Sequence, residues 1–240
     1  MQKIIDEKSL ALLCIQLLLA AILFLTTSAA NSNPPQNLLI MGDSLSAGYG
    51  INREKDWASL LATHMKATHP HIRVINASIS GETTSGALAR LPAILASTHP
   101  HWVLITLGAN DGLRGQSLNA MENNLNNIVT LIQQHGGKAL LAGIRLPPNY
   151  GKVFNTRFHA VYVNIAKNKN LPLLPFLLKD VGGNMKLMQN DGLHPNEAAQ
   201  TIMFETVRQF LSEICRQHER KNSNFSGRER NLHRRALPYY

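Results

Sequence analysis

Between residues 37 and 215, short apolar runs alternate with longer stretches in which apolar positions recur at helical spacing. The runs NLLIM at 37–41, IRVIN at 72–76, WVLITL at 102–107, ALLAGI at 139–144 and LPLL at 171–174 have the length and near-continuous hydrophobicity of strands covered on both faces. Helical patterns lie near 56–68, 84–97, 118–135, 153–169 and 196–214, with Leu88, Leu91, Ile94 and Leu95, and Ile128, Leu131 and Ile132, as core-facing stripes. Asp56, Ser117 and the pair Pro195–Asn196 stand where helix starts need caps. Strand–helix alternation of this kind predicts right-handed crossovers and a doubly wound parallel sheet between two helical layers, a three-layer α/β domain.

The first thirty residues follow another pattern. Lys3 and Lys8 precede the apolar stretch Leu10 to Leu25, broken only by Gln16, and Thr26-Thr27-Ser28-Ala29-Ala30 follows. This order predicts an export leader cleaved after Ala30. An uncleaved anchor is the alternative, but the apolar stretch is short of the roughly 20 residues a spanning helix needs. Asp6 and Glu7 dilute the basic start. Cleavage would remove Cys14 and leave Cys215 as the one thiol, so no disulfide is expected within the mature chain.

Charge changes the picture less than its total suggests. The chain has 24 Lys+Arg against 15 Asp+Glu, a net +9. Residues 216–240 hold seven Arg/Lys and two Glu, for +5, and the leader is neutral, so residues 31–215 keep 15 minus 11, or +4. The excess is therefore no footprint of a nucleic-acid-binding face. The segment 216–240 has little apolar periodicity and reads as a disordered basic tail. Peripheral contact with anionic membrane or polysaccharide is its candidate role. The organisation expected is a leader at 1–30, a catalytic domain at 31–215 and a tail at 216–240.

In doubly wound sheets, ligands bind beyond the carboxyl ends of the strands. Gly42-Asp43-Ser44-Leu45-Ser46 follows the first strand, Ala77 to Thr83 the second and Gly108-Ala109-Asn110-Asp111-Gly112 the third, while Asp191-Gly192-Leu193-His194 precedes the last helix. These residue types suit acyl transfer: Ser44 as nucleophile, His194 as base, Asp191 as the carboxylate that orients it, and the Ser44 and Gly81 amides with the Asn110 side chain as oxyanion donors. Asp111 competes with Asp191 for the orienting role, but the Asp-x-x-His spacing favours Asp191, and both Asp111 and Asp43 suit loop bracing or capping. The remaining histidines form no cluster with cysteine or carboxylate, and His69, His71, His99 and His101 fall in turns at the opposite end of the sheet, so no metal and no cofactor is expected. Leu45, Ile79, Leu113, Leu146, Pro147 and Tyr150 are the apolar loop residues expected to touch an acyl chain.

These four blocks, in this order, resemble the GDSL or SGNH hydrolase superfamily. The stretches NASISGETTSGALARLP (76–92), WVLITLGANDGLRG (102–115), IRLPPNYG (144–151), LPLLPF (171–176) and DGLHPN (191–196) are similar to its multifunctional periplasmic thioesterase, lysophospholipase and arylesterase group. The resemblance, over about residues 37–212, implies a flavodoxin-like α/β/α fold with a five-stranded parallel sheet. It also implies a catalytic Ser44, Asp191 and His194, an oxyanion hole of Ser44, Gly81 and Asn110, metal-free hydrolysis of esters and thioesters, and a periplasmic or secreted location. A monomer acting on small-molecule or lipid acyl esters is expected. A carbohydrate acetylesterase and a non-catalytic envelope-binding protein remain as alternatives.

Overall fold

The computed structural model describes residues 34–235, with side chains described as far as Gln217. The expected leader lies outside the described residues. Five parallel strands form one sheet: β1 (Gln36–Gly42), β2 (Ile72–Asn76), β3 (Trp102–Thr106), β4 (Lys138–Ala142) and β5 (Leu173–Leu174). Their order is β2-β1-β3-β4-β5. Leu39 of β1 aligns with Ile75 of β2 and Val103 of β3, and Leu141 of β4 with Leu173 of β5. The chain winds to opposite sides of β1, so the switch point lies between β1 and β3, where a ligand crevice is expected.

Seven α-helices flank the strands among the described residues: α1 (Ser44–Ala47), α2 (Trp57–Thr68), α3 (Thr84–Thr98), α4 (Ala109–Leu113), α5 (Leu118–Gln134), α6 (Lys152–Asn168) and α7 (Glu197–Arg235). Helix α2 packs with α7, while α5 packs with both α3 and α6, which gives a helical layer for each face. Leu39, Ile40, Leu104, Ile105 and Leu141 are fully buried between these layers, as their apolar runs require. Caps act where expected: Asp56 Oδ1 accepts from Ser59 N at 2.9 Å and Asn196 Oδ1 from Ala199 N at 3.3 Å.

Two departures from the sequence reading have local causes. Helices α1 and α4, of four and five residues, are too short to show a period. Helix α7 continues to Arg235 rather than ending near 214, with no proline to interrupt it before Arg235. Of the second departure, only the backbone is described beyond Gln217.

Candidate active site

Chain geometry at the end of β1 carries Ser44 to the rim of the sheet. Gly42 is enforced there, because a Cβ would collide with the Thr106 and Ser46 side chains. Asp43 then caps α1, its Oδ1 accepting from Leu45 N at 3.0 Å, and Ser44 opens the helix. Three contacts hold α1 in place. Ser46 Oγ and Thr106 Oγ1 are 2.6 Å apart, Asn76 Nδ2 donates to Ser46 O at 2.7 Å, and Trp57 Nε1 donates to Leu45 O at 2.8 Å. The hydroxyl of Ser44 is thus presented by a braced turn.

Across the rim stands His194. Its Nε2 lies 2.9 Å from Ser44 Oγ, and its Nδ1 lies 2.6 Å from Asp191 Oδ2. The other carboxylate oxygen of Asp191 accepts from Leu193 N at 2.9 Å and His194 N at 3.0 Å, which folds the loop so that one side chain holds both backbone and ring. Desolvation raises the Asp191 pKa, but the backbone and side-chain bonds from His194, the Leu193 amide and the His194 charge outweigh it, bringing the carboxyl down to about 2. Asp191 is therefore ionised throughout the neutral range. A hydroxyl, an imidazole and a carboxylate in line can pass the hydroxyl proton to the imidazole while the carboxylate stabilises the resulting cation.

The loop after β2 supplies the other side of the crevice. Ile79 N donates to Gly42 O at 3.1 Å, which docks this loop against the end of β1. Gly81 adopts a left-handed φ of +79°. Asn110 Nδ2 donates to Glu82 O at 2.9 Å, Arg114 Nη2 donates to Gly81 O at 3.0 Å, and Asp111 accepts from Thr84 N at 2.9 Å and Thr84 Oγ1 at 2.5 Å. Asp111 is buried in this brace, its carboxylate bonded to Thr84 and not to His194. Among the described residues, the amides of Ser44 and Gly81 donate to no protein acceptor, and Asn110 Nδ2 keeps one hydrogen beyond its bond to Glu82.

Of the expected acyl-contact residues, Ile79 is exposed, Leu45 and Leu146 are buried, and Leu113, Pro147 and Tyr150 are half-buried. Tyr150 Oη donates to Leu113 O at 3.1 Å, and Leu146 packs against Gly112, so Leu113, Leu146 and Tyr150 form one corner. Two residues at the site lie outside the sequence reading. The Tyr49 ring packs on that of His194. Gln189 Nε2 donates to Tyr49 O at 2.8 Å and Pro195 O at 2.9 Å. Neither has a signal in the sequence beyond standing a few residues from Ser44 and His194.

Asp43 is the electrostatic exception. It is fully buried, and its Oδ2 meets no hydrogen-bond partner among the described residues. Burial pushes its carboxyl up to about 7, aided by the charges of Asp111 and Glu82 and opposed by the Leu45 amide bond. Burial and the same Asp43 and Asp111 charges push the Tyr162 hydroxyl, which donates to Leu107 O at 2.9 Å, well above its usual value.

Residues 40–202 match the model of the GDSL-like lipase/acylhydrolase family. The chain belongs to this family. Among GDSL-type relatives, an arylesterase of Vibrio mimicus is 44% identical over 194 residues, covering 81% of this chain and 96% of its own. Thioesterase 1/protease 1/lysophospholipase L1 of Escherichia coli K12 is 41% identical over 192 residues, covering 80% of this chain and 91% of its own. The crystal structure of the psychrotrophic esterase EstA from Pseudoalteromonas sp. superposes with a TM-score of 0.72 at 41% identity, covering 75% of this chain and 99% of that one. The fold and the GDSL hydrolase class expected from the sequence are both met in these comparisons.

Proposed function

We propose that this GDSL-type hydrolase is a serine esterase acting on lipid-type acyl esters and thioesters through an acyl-enzyme at Ser44. One observation carries the reading: the unbroken line from Ser44 Oγ through the His194 ring to Asp191, at 2.9 and 2.6 Å. Relatives whose names are arylesterase and thioesterase/lysophospholipase support the substrate class.

In this mechanism His194 Nε2 takes the Ser44 proton as Oγ attacks the acyl carbonyl. Asp191 stabilises the imidazolium through Nδ1, and the Ser44 amide, the Gly81 amide and Asn110 Nδ2 hold the oxyanion. The alcohol or thiol leaves with the proton from His194, and water, deprotonated by the same imidazole, releases the acid and regenerates Ser44. Loss of one oxyanion donor typically slows such reactions on the order of 100 to 1000-fold. Ile79, Leu113, Pro147 and Tyr150 flank the acyl chain, with Leu45 and Leu146 supporting them from beneath. Each methylene buried there favours binding by about 0.8 kcal/mol, so the corner formed by Leu113, Leu146 and Tyr150 governs chain-length preference.

The same proposal removes residues 1–30 on export, places the mature enzyme in the periplasm or beyond it, and has it work as a monomer with 31–215 as its catalytic domain. The basic segment 216–240, +5 in net charge, contacts anionic lipid or polysaccharide. A fluorophosphonate probe should label wild type and not Ser44→Ala, and that variant should hydrolyse p-nitrophenyl octanoate at the background rate while retaining its melting temperature. Wild-type turnover by Ser44→Ala would overturn the reading.

A further inference from the structure

Large exposed hydrophobic side chains are concentrated on one edge of the molecule. Among the described residues six are exposed: Tyr49, Ile79, Val153, Val163, Met185 and Leu193. All but Val163 stand at the carboxyl edge of the sheet, on the loops after β1, β2 and β5 and on the first turn of α6. Four of them, Tyr49, Ile79, Met185 and Leu193, stand about the Ser44–His194 pair. Tyr49 touches the His194 ring, Leu193 precedes it, Ile79 is docked on Gly42, and Met185 Cε approaches within 4.0 Å of the Cβ position at Gly192. Val153 and Met185 are 76% and 69% exposed, well beyond what a groove lining needs. Apolar exposure clustered at one place marks a contact surface.

Exposed, unpaired charge on the same edge is mainly cationic. Arg53, Arg114, Arg145, Lys152, Lys179 and Lys186 are exposed on its loops and form no ion pair among the described residues. Of the acids there, Asp43, Asp56 and Asp111 are buried, Glu82 pairs with Arg90 and Glu197 with Lys55, which leaves Glu54, Asp180 and Asp191 exposed to oppose the cations. Six exposed, unpaired cations therefore face three exposed acids at the mouth of the site.

We propose that this edge is a docking surface for anionic phospholipid, which seats the mouth of the Ser44 crevice on a bilayer. Apolar side chains ringed by cations match the boundary between acyl chains and anionic headgroups. Val153, Met185, Ile79 and Leu193 enter the interface while the lysines and arginines meet phosphates. Each basic residue held near an anionic leaflet strengthens binding about fivefold, and the attraction is screened by salt. A zwitterionic surface satisfies only the apolar half of the patch. The inference rests on the proposed esterase only in taking the Ser44 edge as the working edge, and binding is measured apart from turnover.

Sedimentation of the full chain with vesicles tests it. Wild type should pellet with phosphatidylglycerol vesicles, and roughly tenfold less tightly with phosphatidylcholine vesicles or in about 0.5 M salt. The pair Val153→Asp/Met185→Asp, and separately Lys152→Glu/Lys186→Glu, should each weaken binding to phosphatidylglycerol by roughly tenfold or more while p-nitrophenyl acetate is hydrolysed at the wild-type rate. Unchanged binding by both pairs would place the affinity in the basic segment, and equal binding to the two lipids, or none to either, would likewise overturn the proposal. Failure of fluorophosphonate labelling would instead strike the esterase reading and leave the vesicle result standing.

Discussion

The ring of Tyr49 lies on that of His194, with centroids 4.5 Å apart and planes at 40°. The loop that carries Tyr49 is joined to the His194 loop by one amide, Gln189 Nε2, which donates to carbonyls on both, and Gln189 N donates to His194 O at 2.7 Å. Ring contact and clamp together limit how far the imidazole can turn away from Ser44. Gln189→Met keeps the shape and removes both side-chain donors. It should lower kcat by roughly tenfold to 100-fold with KM little changed, since misplacement of a base by about 1 Å has costs of that order. Tyr49→Phe should match wild type, because the clamp uses the carbonyl and the packing uses the ring, whereas Tyr49→Ala should fall with Gln189→Met. Steady-state kinetics on a soluble ester checks all three.

Asp191 gives a prediction in pH. Its carboxyl is held near 2, below the ordinary value of 3.8. A depressed folded-state pKa contributes stability above the unfolded value, and that contribution is lost as pH falls from about 4 towards 2. Asp191→Asn should therefore lose stability relative to wild type at neutral pH, with the difference shrinking below about pH 4. Because Asp191 is partly exposed, the effect on melting temperature should be small. The effect on kcat should be large, on the order of 10,000-fold, because the amide cannot stabilise the imidazolium.

Asp43 has the opposite sign. Its folded-state value, about 7, lies above the ordinary 3.8, so the folded chain holds this proton more tightly than the unfolded chain does. Protonated Asp43 favours the native state at low pH, and the benefit is lost progressively from about pH 4 to pH 7, beyond which a buried charge is retained at a cost. Asp43→Asn keeps an acceptor for the Leu45 amide and carries no charge. Its melting temperature should rise relative to wild type as pH increases through that window and converge with it in acid, as thermal melts at pH 4 and pH 8 would show.

Loop bracing behind the oxyanion donors predicts a loss of both stability and rate. Asp111→Ala would strand Thr84 N and Thr84 Oγ1, whose acceptor is buried, at a cost of about 2 to 4 kcal/mol. Gly108→Ala would drive a Cβ into the Tyr162 hydroxyl at a residue with φ of +116°. Both should lower the urea midpoint. Asp111→Ala should also lower kcat, because it frees the start of α3 from helix α4, which carries Asn110.

Much of this architecture was legible because its signals are local. The apolar runs of β1, β3 and β4 are buried on both faces, and such strands need no long-range information to declare themselves. Ser44, Asp191 and His194 were readable for a similar reason: each stands in a short loop after a strand or before a helix, and Asp191 is only three residues from the base it orients. What escaped depends on distant partners. Tyr49 and Gln189 are 140 residues apart, and nothing near either predicts that a glutamine will join their loops. The burial of Asp43 was equally hidden, since a cap residue is ordinarily wet. The cationic ring escaped too, because its members come from separate loops whose charges look dilute when counted along the chain.

Helix α7 begins beside His194 and ends its described packing with Ile214 and Gln217 near Trp102 and Lys138, the first residues of β3 and β4. The basic segment therefore departs from the amino edge of the sheet, at the far end from Ser44. The sequence places +5 of net charge in residues 216–240, on the chain that leaves from that edge. A molecule seated on its mouth would send its carboxyl-terminal segment off the side away from the docked surface.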